Sequence, residues 1–87
     1  MRKIIFTPDA YTDYLNWLET DRKIFHKITI LIREAAKNPS QGTGKPELLK
    51  HKLSGHWSRR INLEHRLIYS ANEYSIEIIS CRFHYEE

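Results

Sequence analysis

Glu47, Lys50, the Arg59-Arg60 pair, Arg66, His84 and Tyr85 are the residues of this chain whose types could act together on a substrate. A carboxylate, an imidazole and several guanidinium groups suit phosphodiester cleavage. A base must deprotonate the attacking hydroxyl, an acid must protonate the leaving oxygen, and fixed cations must stabilise the extra negative charge. A glutamate is ordinarily ionised at neutral pH, and an imidazole can donate a proton there. Spacing alone does not bring the groups together, since Glu47 and His84 stand 37 positions apart. Plainer roles are open to each: Glu47 as an ion-pair partner of Lys45 or Lys50, Arg59 as a side chain stretched over a sheet surface. Arg59 and Arg60 are adjacent on a strand, so they must point to opposite faces.

These residues fall in or beside a segment of distinctive charge. Residues 45–66 carry six basic and two acidic side chains, three histidines and Trp57, whereas residues 67–87 carry one basic and four acidic. A basic segment holding an aromatic residue is the expected footprint for a polyanion, and a solvated face is the alternative. Lys50, Lys52, Arg59 and Arg60 are the residues expected to face phosphate. His51, His56 and His65 lack a metal-binding spacing. The lone Cys81 excludes an intramolecular disulfide framework and a cysteine-based zinc site.

The elements that must position this chemistry are legible from period and punctuation. At 87 residues the chain has room for one small domain, spanning 1–87. Residues 2–6 read as a strand. Thr7-Pro8-Asp9 then supplies an N-cap, a proline at the first helical position and an acid in the first turn. Tyr11, Tyr14, Leu15 and Leu18 mark one helical stripe. After a break at Thr20-Asp21, a second stripe runs through Ile24, Ile28, Leu31, Ile32 and Ala35. The stretch 38–46, rich in Asn, Pro and Gly, is a surface loop. Beyond it the period becomes twofold: Trp57, Arg59, Ile61 and Leu63 alternate with His56, Ser58, Arg60 and Asn62. Two further runs follow, with turns at Glu64-His65 and Asn72-Glu73. The order β-α-α-β-β-β predicts an α+β fold, an antiparallel sheet with both helices on one face. No apolar run approaches the roughly 20 residues that span a bilayer, and the N-terminal stretch is too short for a signal peptide, so a cytoplasmic setting is expected.

The segment from Gly42 to Ile61, with Lys45-Pro46-Glu47 and Trp57-Ser58-Arg59-Arg60 within it, resembles the YoeB/Txe-type toxins of the RelE superfamily. Glu64-His65-Arg66-Leu67-Ile68-Tyr69, Cys81-Arg82-Phe83-His84-Tyr85 and the early Trp17-Leu18-Glu19-Thr20-Asp21 are similar to the same family, so the resemblance covers essentially the whole chain. It implies a RelE-like microbial ribonuclease fold and the toxin of a type II toxin–antitoxin pair. The implied activity is cleavage of messenger RNA in the A site of the 70S ribosome by 2′-hydroxyl attack, with no metal and no cofactor. In that scheme Glu47 matches the general base, His84 the general acid and Arg66 the cation at the pentacoordinate phosphate. Lys50, Arg60 and Tyr85 match supporting positions. The implied partners are a YefM/Axe-type antitoxin, operator DNA reached only through that antitoxin, and a second copy of the chain. Two positions depart from the family pattern: Leu48 replaces a common proline, and Glu86-Glu87 extends past the tyrosine. A catalytically silent RNA- or ribosome-binding module, acting mainly as antitoxin partner and co-repressor, is the second functional reading.

Overall fold

Thr7 caps the first helix as its position predicts: its Oγ accepts from the Ala10 N–H at 3.2 Å, with Pro8 opening the helix. Asp21 does the same for the second, accepting from the Lys23 and Ile24 N–H groups. These local bonds satisfy backbone donors that no helix can satisfy internally. In the computed structural model, which describes residues 1–83, the chain order is β1 (Lys3–Phe6), α1 (Pro8–Thr20), α2 (Arg22–Lys37), β2 (Glu47–Leu48), a 3₁₀ turn (His51–Leu53), β3 (His56–Arg60), β4 (Arg66–Ala71) and β5 (Ser75–Ser80).

The five strands form one sheet in the order β1-β5-β4-β3-β2. From β5 to β2 the pairing is antiparallel, but β1 runs parallel to β5. The sheet is therefore mixed rather than wholly antiparallel. The connection from β1 passes through both helices before returning, which is what parallel pairing requires. The α+β class and the helical hairpin on one face stand as expected. Strand β2 was not anticipated, because a two-residue strand has no period to read.

The core lies between the helices and one sheet face. Ala10, Ile28, Leu31, Ile32, Ala35 and Ala36 from the helices meet Ile61, Leu67, Tyr69, Ile76, Ile78 and Cys81. Every β4 residue in that cluster is odd-numbered, so the even-numbered residues Arg66, Ile68 and Ser70 face away from the helices. No helix among the described residues is long and apolar enough to cross a membrane.

Candidate active site

The face of the sheet that the helices leave open gathers the predicted chemistry. In the β2–β3 register Glu47 stands opposite Ser58, and in the β3–β4 register Ser58 stands opposite Ile68 and Arg60 opposite Arg66. Opposed residues project to the same face, so Glu47, Ser58, Arg60 and Arg66 share one surface. Glu47 and Arg60 are diagonal neighbours, roughly 7–8 Å apart at the backbone. Glu47 and Arg60 are exposed and Arg66 is half-buried. Two arginines placed directly opposite repel one another, a cost that a bound anion would turn into attraction. Lys50 and Lys52 sit exposed in and beside the 3₁₀ turn that joins β2 to β3. His84 and Tyr85 lie outside the described residues. Among the described residues no group of three or more His, Cys, Asp or Glu side chains converges as a metal site.

Arg59 requires a correction. The expectation made it phosphate-facing, yet it is fully buried. Its Nη2 donates to the carbonyls of Asn38 and Gln41 at 2.7 and 2.8 Å, and its Nη1 to that of Thr43 at 3.2 Å. Its Nε donates to the Tyr69 hydroxyl at 2.9 Å, and that hydroxyl in turn donates to the Pro39 carbonyl. The guanidinium thus takes the place of a hydrophobic side chain at the edge of the core and ties the 38–43 loop to the sheet. Burial raises the Tyr69 pKa, with the Arg59 bond acting against it. The signal for this was present: Arg59 is in phase with Trp57 and Ile61, the residues that face the helices.

The same loop leads directly into Glu47, and several further bonds fix it. The Thr43 N–H donates to Glu34 Oε1 at 3.0 Å, which lowers the Glu34 pKa, and the charge of Arg59 contributes in the same direction. Gly42, at φ 125°, runs between those two side chains; a Cβ there would lie 2.7 Å from Glu34 Oε1 and 2.9 Å from Arg59 Nη1. The Arg60 N–H donates to the Gly44 carbonyl at 2.6 Å, and the Leu49 N–H to the His56 carbonyl at 2.8 Å. Glu47 is thereby carried on a short edge strand, anchored on both sides.

On the other flank the chain leaving β5 is held close to Arg66. Trp17 Nε1 donates to the Cys81 carbonyl at 3.0 Å, and Ser80 Oγ to the Arg82 carbonyl at 3.1 Å. The Arg66 N–H donates to the Phe83 carbonyl at 2.8 Å. Phe83, the last described residue, therefore lies beside the strand that bears Arg66. Cys81 is buried with its thiol pKa pushed up to about 12 by desolvation, and takes no part in the open face.

Residues 6–85 match the model of the YoeB-like toxin of bacterial type II toxin–antitoxin systems. Toxin YoeB of Escherichia coli strain K12 is 51% identical over 83 residues, 95% of this chain and 99% of that relative. A YoeB dimer from Staphylococcus aureus superposes with a TM-score of 0.89 at 44% identity, covering 97% of this chain and 98% of that one. A YoeB–YefM complex from the same organism gives 0.88 at 42% identity, covering 98% and 99%.

Proposed function

This chain belongs to the YoeB-like toxins of bacterial type II toxin–antitoxin systems, and on that premise we propose that it cleaves messenger RNA on the ribosome. The observation that carries the reading is the register of the open face, which aligns Glu47, Arg60 and Arg66 across three neighbouring strands. Glu47 takes the proton from the RNA 2′-hydroxyl, which attacks the adjacent phosphorus. Arg66, with Arg60 opposite it, carries the charge that accumulates on the phosphoryl oxygens. His84 protonates the departing 5′-oxygen and Tyr85 supports it, leaving a 2′,3′-cyclic phosphate end. Every group in this scheme comes from the protein, and no cofactor is invoked. Lys50 and Lys52 supply attraction for the RNA backbone, so ribosome affinity falls with salt as condensed counterions are released.

The partners follow from the same surface. A YefM-type antitoxin presenting an acidic segment restrains the toxin by covering the cations of 50–66. Operator DNA is reached only through that antitoxin, and two toxin chains pair as in the S. aureus dimer. Single-turnover cleavage on translating 70S ribosomes tests the proposal. His84→Gln should lower the rate at least about 100-fold with little change in affinity, since positioned acid–base groups contribute roughly 10²–10⁴. A message carrying 2′-deoxy at the scissile nucleotide should stay intact. Cleavage of that message at the normal rate would overturn the mechanism.

A further inference from the structure

The open face continues along the sheet beyond the two arginines. His56 stands opposite Ser70 in the β3–β4 register, Ser70 opposite Glu77 in the β4–β5 register, and Glu77 opposite Ile5 across the parallel pair. Opposed residues share a face, and Ser70 is an even step from Arg66 on the same strand. The row His56–Ser70–Glu77 therefore lies on the surface that bears Glu47, Arg60 and Arg66, roughly 13 Å along β4 from the arginine pair. It crosses three strands, a width of about 10 Å. At its far end is a depression of about 240 Å³ lined by Ile5, Ser70, Ala71, Asn72, Ser75 and Glu77.

The polar groups of this row have no work inside the protein. Glu77 is exposed, and Ser70 and His56 are half-buried. Among the described residues none of the three side chains makes a hydrogen bond or an ion pair, and His56 Nδ1 is shut off from solvent without a partner. A ring nitrogen left so costs free energy that no internal contact returns. The torsion that turns an imidazole is broad, so a modest rotation brings that nitrogen to the face when a polar group arrives. Glutamate is disfavoured in strands, yet Glu77 sits on an interior one.

Single-stranded RNA is read through its bases, which stack on flat side chains and offer their edges to donors and acceptors. A carboxylate repels phosphate, so a strand whose backbone is held by Arg60 and Arg66 turns a base, not a phosphate, toward Glu77. An ionised carboxylate only accepts, and it pairs with the amino group of cytosine, adenine or guanine. Uracil presents a carbonyl oxygen in place of that amino group, and the two oxygens repel. From this we infer that His56, Ser70 and Glu77 form a base-reading subsite for a nucleotide flanking the cleaved one, which takes an amino-bearing base and rejects uracil. The inference rests on the ribonuclease reading and adds to it a choice of sequence. His56 supplies the flat surface, and the Ser70 hydroxyl, able to donate and accept, adapts to the rest of the base edge.

The test uses the full chain on translating 70S ribosomes and a set of messages that differ only in the bases flanking the scissile bond. Single-turnover rates are taken below saturation, so that binding counts. With wild type, uracil at one flanking position should be cut at least about fivefold more slowly than the other three bases. Glu77→Gln, which adds a donor, should bring that ratio to within about twofold of unity. Glu73→Gln removes the same charge from the exposed turn between β4 and β5 and should leave the ratio unchanged. Equal wild-type rates on all four bases, or a ratio that Glu77→Gln leaves intact, overturn the subsite while the ribonuclease reading stands. A ratio shifted equally by Glu73→Gln overturns it too, since general charge then suffices. Loss of antitoxin affinity in Glu77→Gln with the base ratio unaltered assigns the row to the protein partner instead. A wild type that cuts none of the messages refutes the ribonuclease reading, and the subsite with it.

Discussion

Replacing Arg59 by methionine keeps the linear apolar stem and removes the guanidinium, together with its four hydrogen bonds to Asn38, Gln41, Thr43 and Tyr69. A hydrogen bond from a charged donor contributes about 1.5–3 kcal/mol, which would suggest a large sum. The three carbonyl acceptors belong to exposed loop residues, however, and water can reach them once the guanidinium is gone. Tyr69 keeps its own bond to Pro39. A net loss of roughly 3 kcal/mol is therefore expected, a substantial part of the 5–15 kcal/mol that holds a small domain together. For a chain of this size that corresponds to a fall of about 12–24 °C in Tm. The control is the neighbouring residue. Arg60→Met should change stability by no more than about 0.5 kcal/mol, because Arg60 lies exposed and opposite another arginine. It should instead weaken RNA binding and lower the salt slope by about one. Urea titration followed by tryptophan fluorescence gives the stabilities, and ribosome binding at several salt concentrations, with both variants folded, gives the slopes. The reasoning is refuted if Arg59→Met is as stable as wild type while its salt slope falls.

Three further outcomes follow from the same geometry. The Cys81 thiol, buried and with its pKa raised to about 12, should fail to react with a disulfide reagent at pH 8 in the native protein and react promptly once urea unfolds it. Gly42→Ala should destabilise by roughly 1–3 kcal/mol, measured by thermal unfolding, because the added methyl meets both Glu34 and Arg59 in a backbone conformation that disfavours it. Glu34 has a lowered folded-state pKa, so its support of the loop is present above the ordinary carboxylate range and is lost as pH falls through the folded value. Amide exchange at Thr43, corrected for the intrinsic pH dependence of exchange, should lose protection over that acid range, and Glu34→Gln should flatten the transition.

Local signals in the sequence carried most of the fold. The caps at Thr7 and Asp21 bond to amides two or three residues away, so their meaning is contained in short peptides. The helical stripes and the twofold alternation reported which side would be buried. The pairing of Lys3 with Ser75 was not legible, because nothing near either residue encodes a partner 72 positions distant. At the site, the face shared by Glu47, Arg60 and Arg66 depends on strand β2, which is too short to show a period. Arg59 was misread because its charge was given more weight than its phase. His65 was read only as part of a turn and as lacking a metal-binding spacing, since its bond to Phe83 exists only after β4 and the segment beyond β5 have come together.

The position of β5 in the sheet has a consequence for how the chain is made. This strand lies between β1 and β4 and is the only described element that joins the first strand to the rest of the sheet. A chain growing from its N-terminus produces β1, both helices and β2 to β4 before the strand that links them. Until residues 75–80 appear, β1 has no partner and the face of β4 meant for β5 is an open edge. Pairings so distant in sequence also form late, because the loop between them must close first. The sheet that carries the open face is thus joined to its first strand only after residues 75–80 have been made. A nascent toxin lacks its complete sheet until then, which leaves an interval in which an antitoxin already present can meet it.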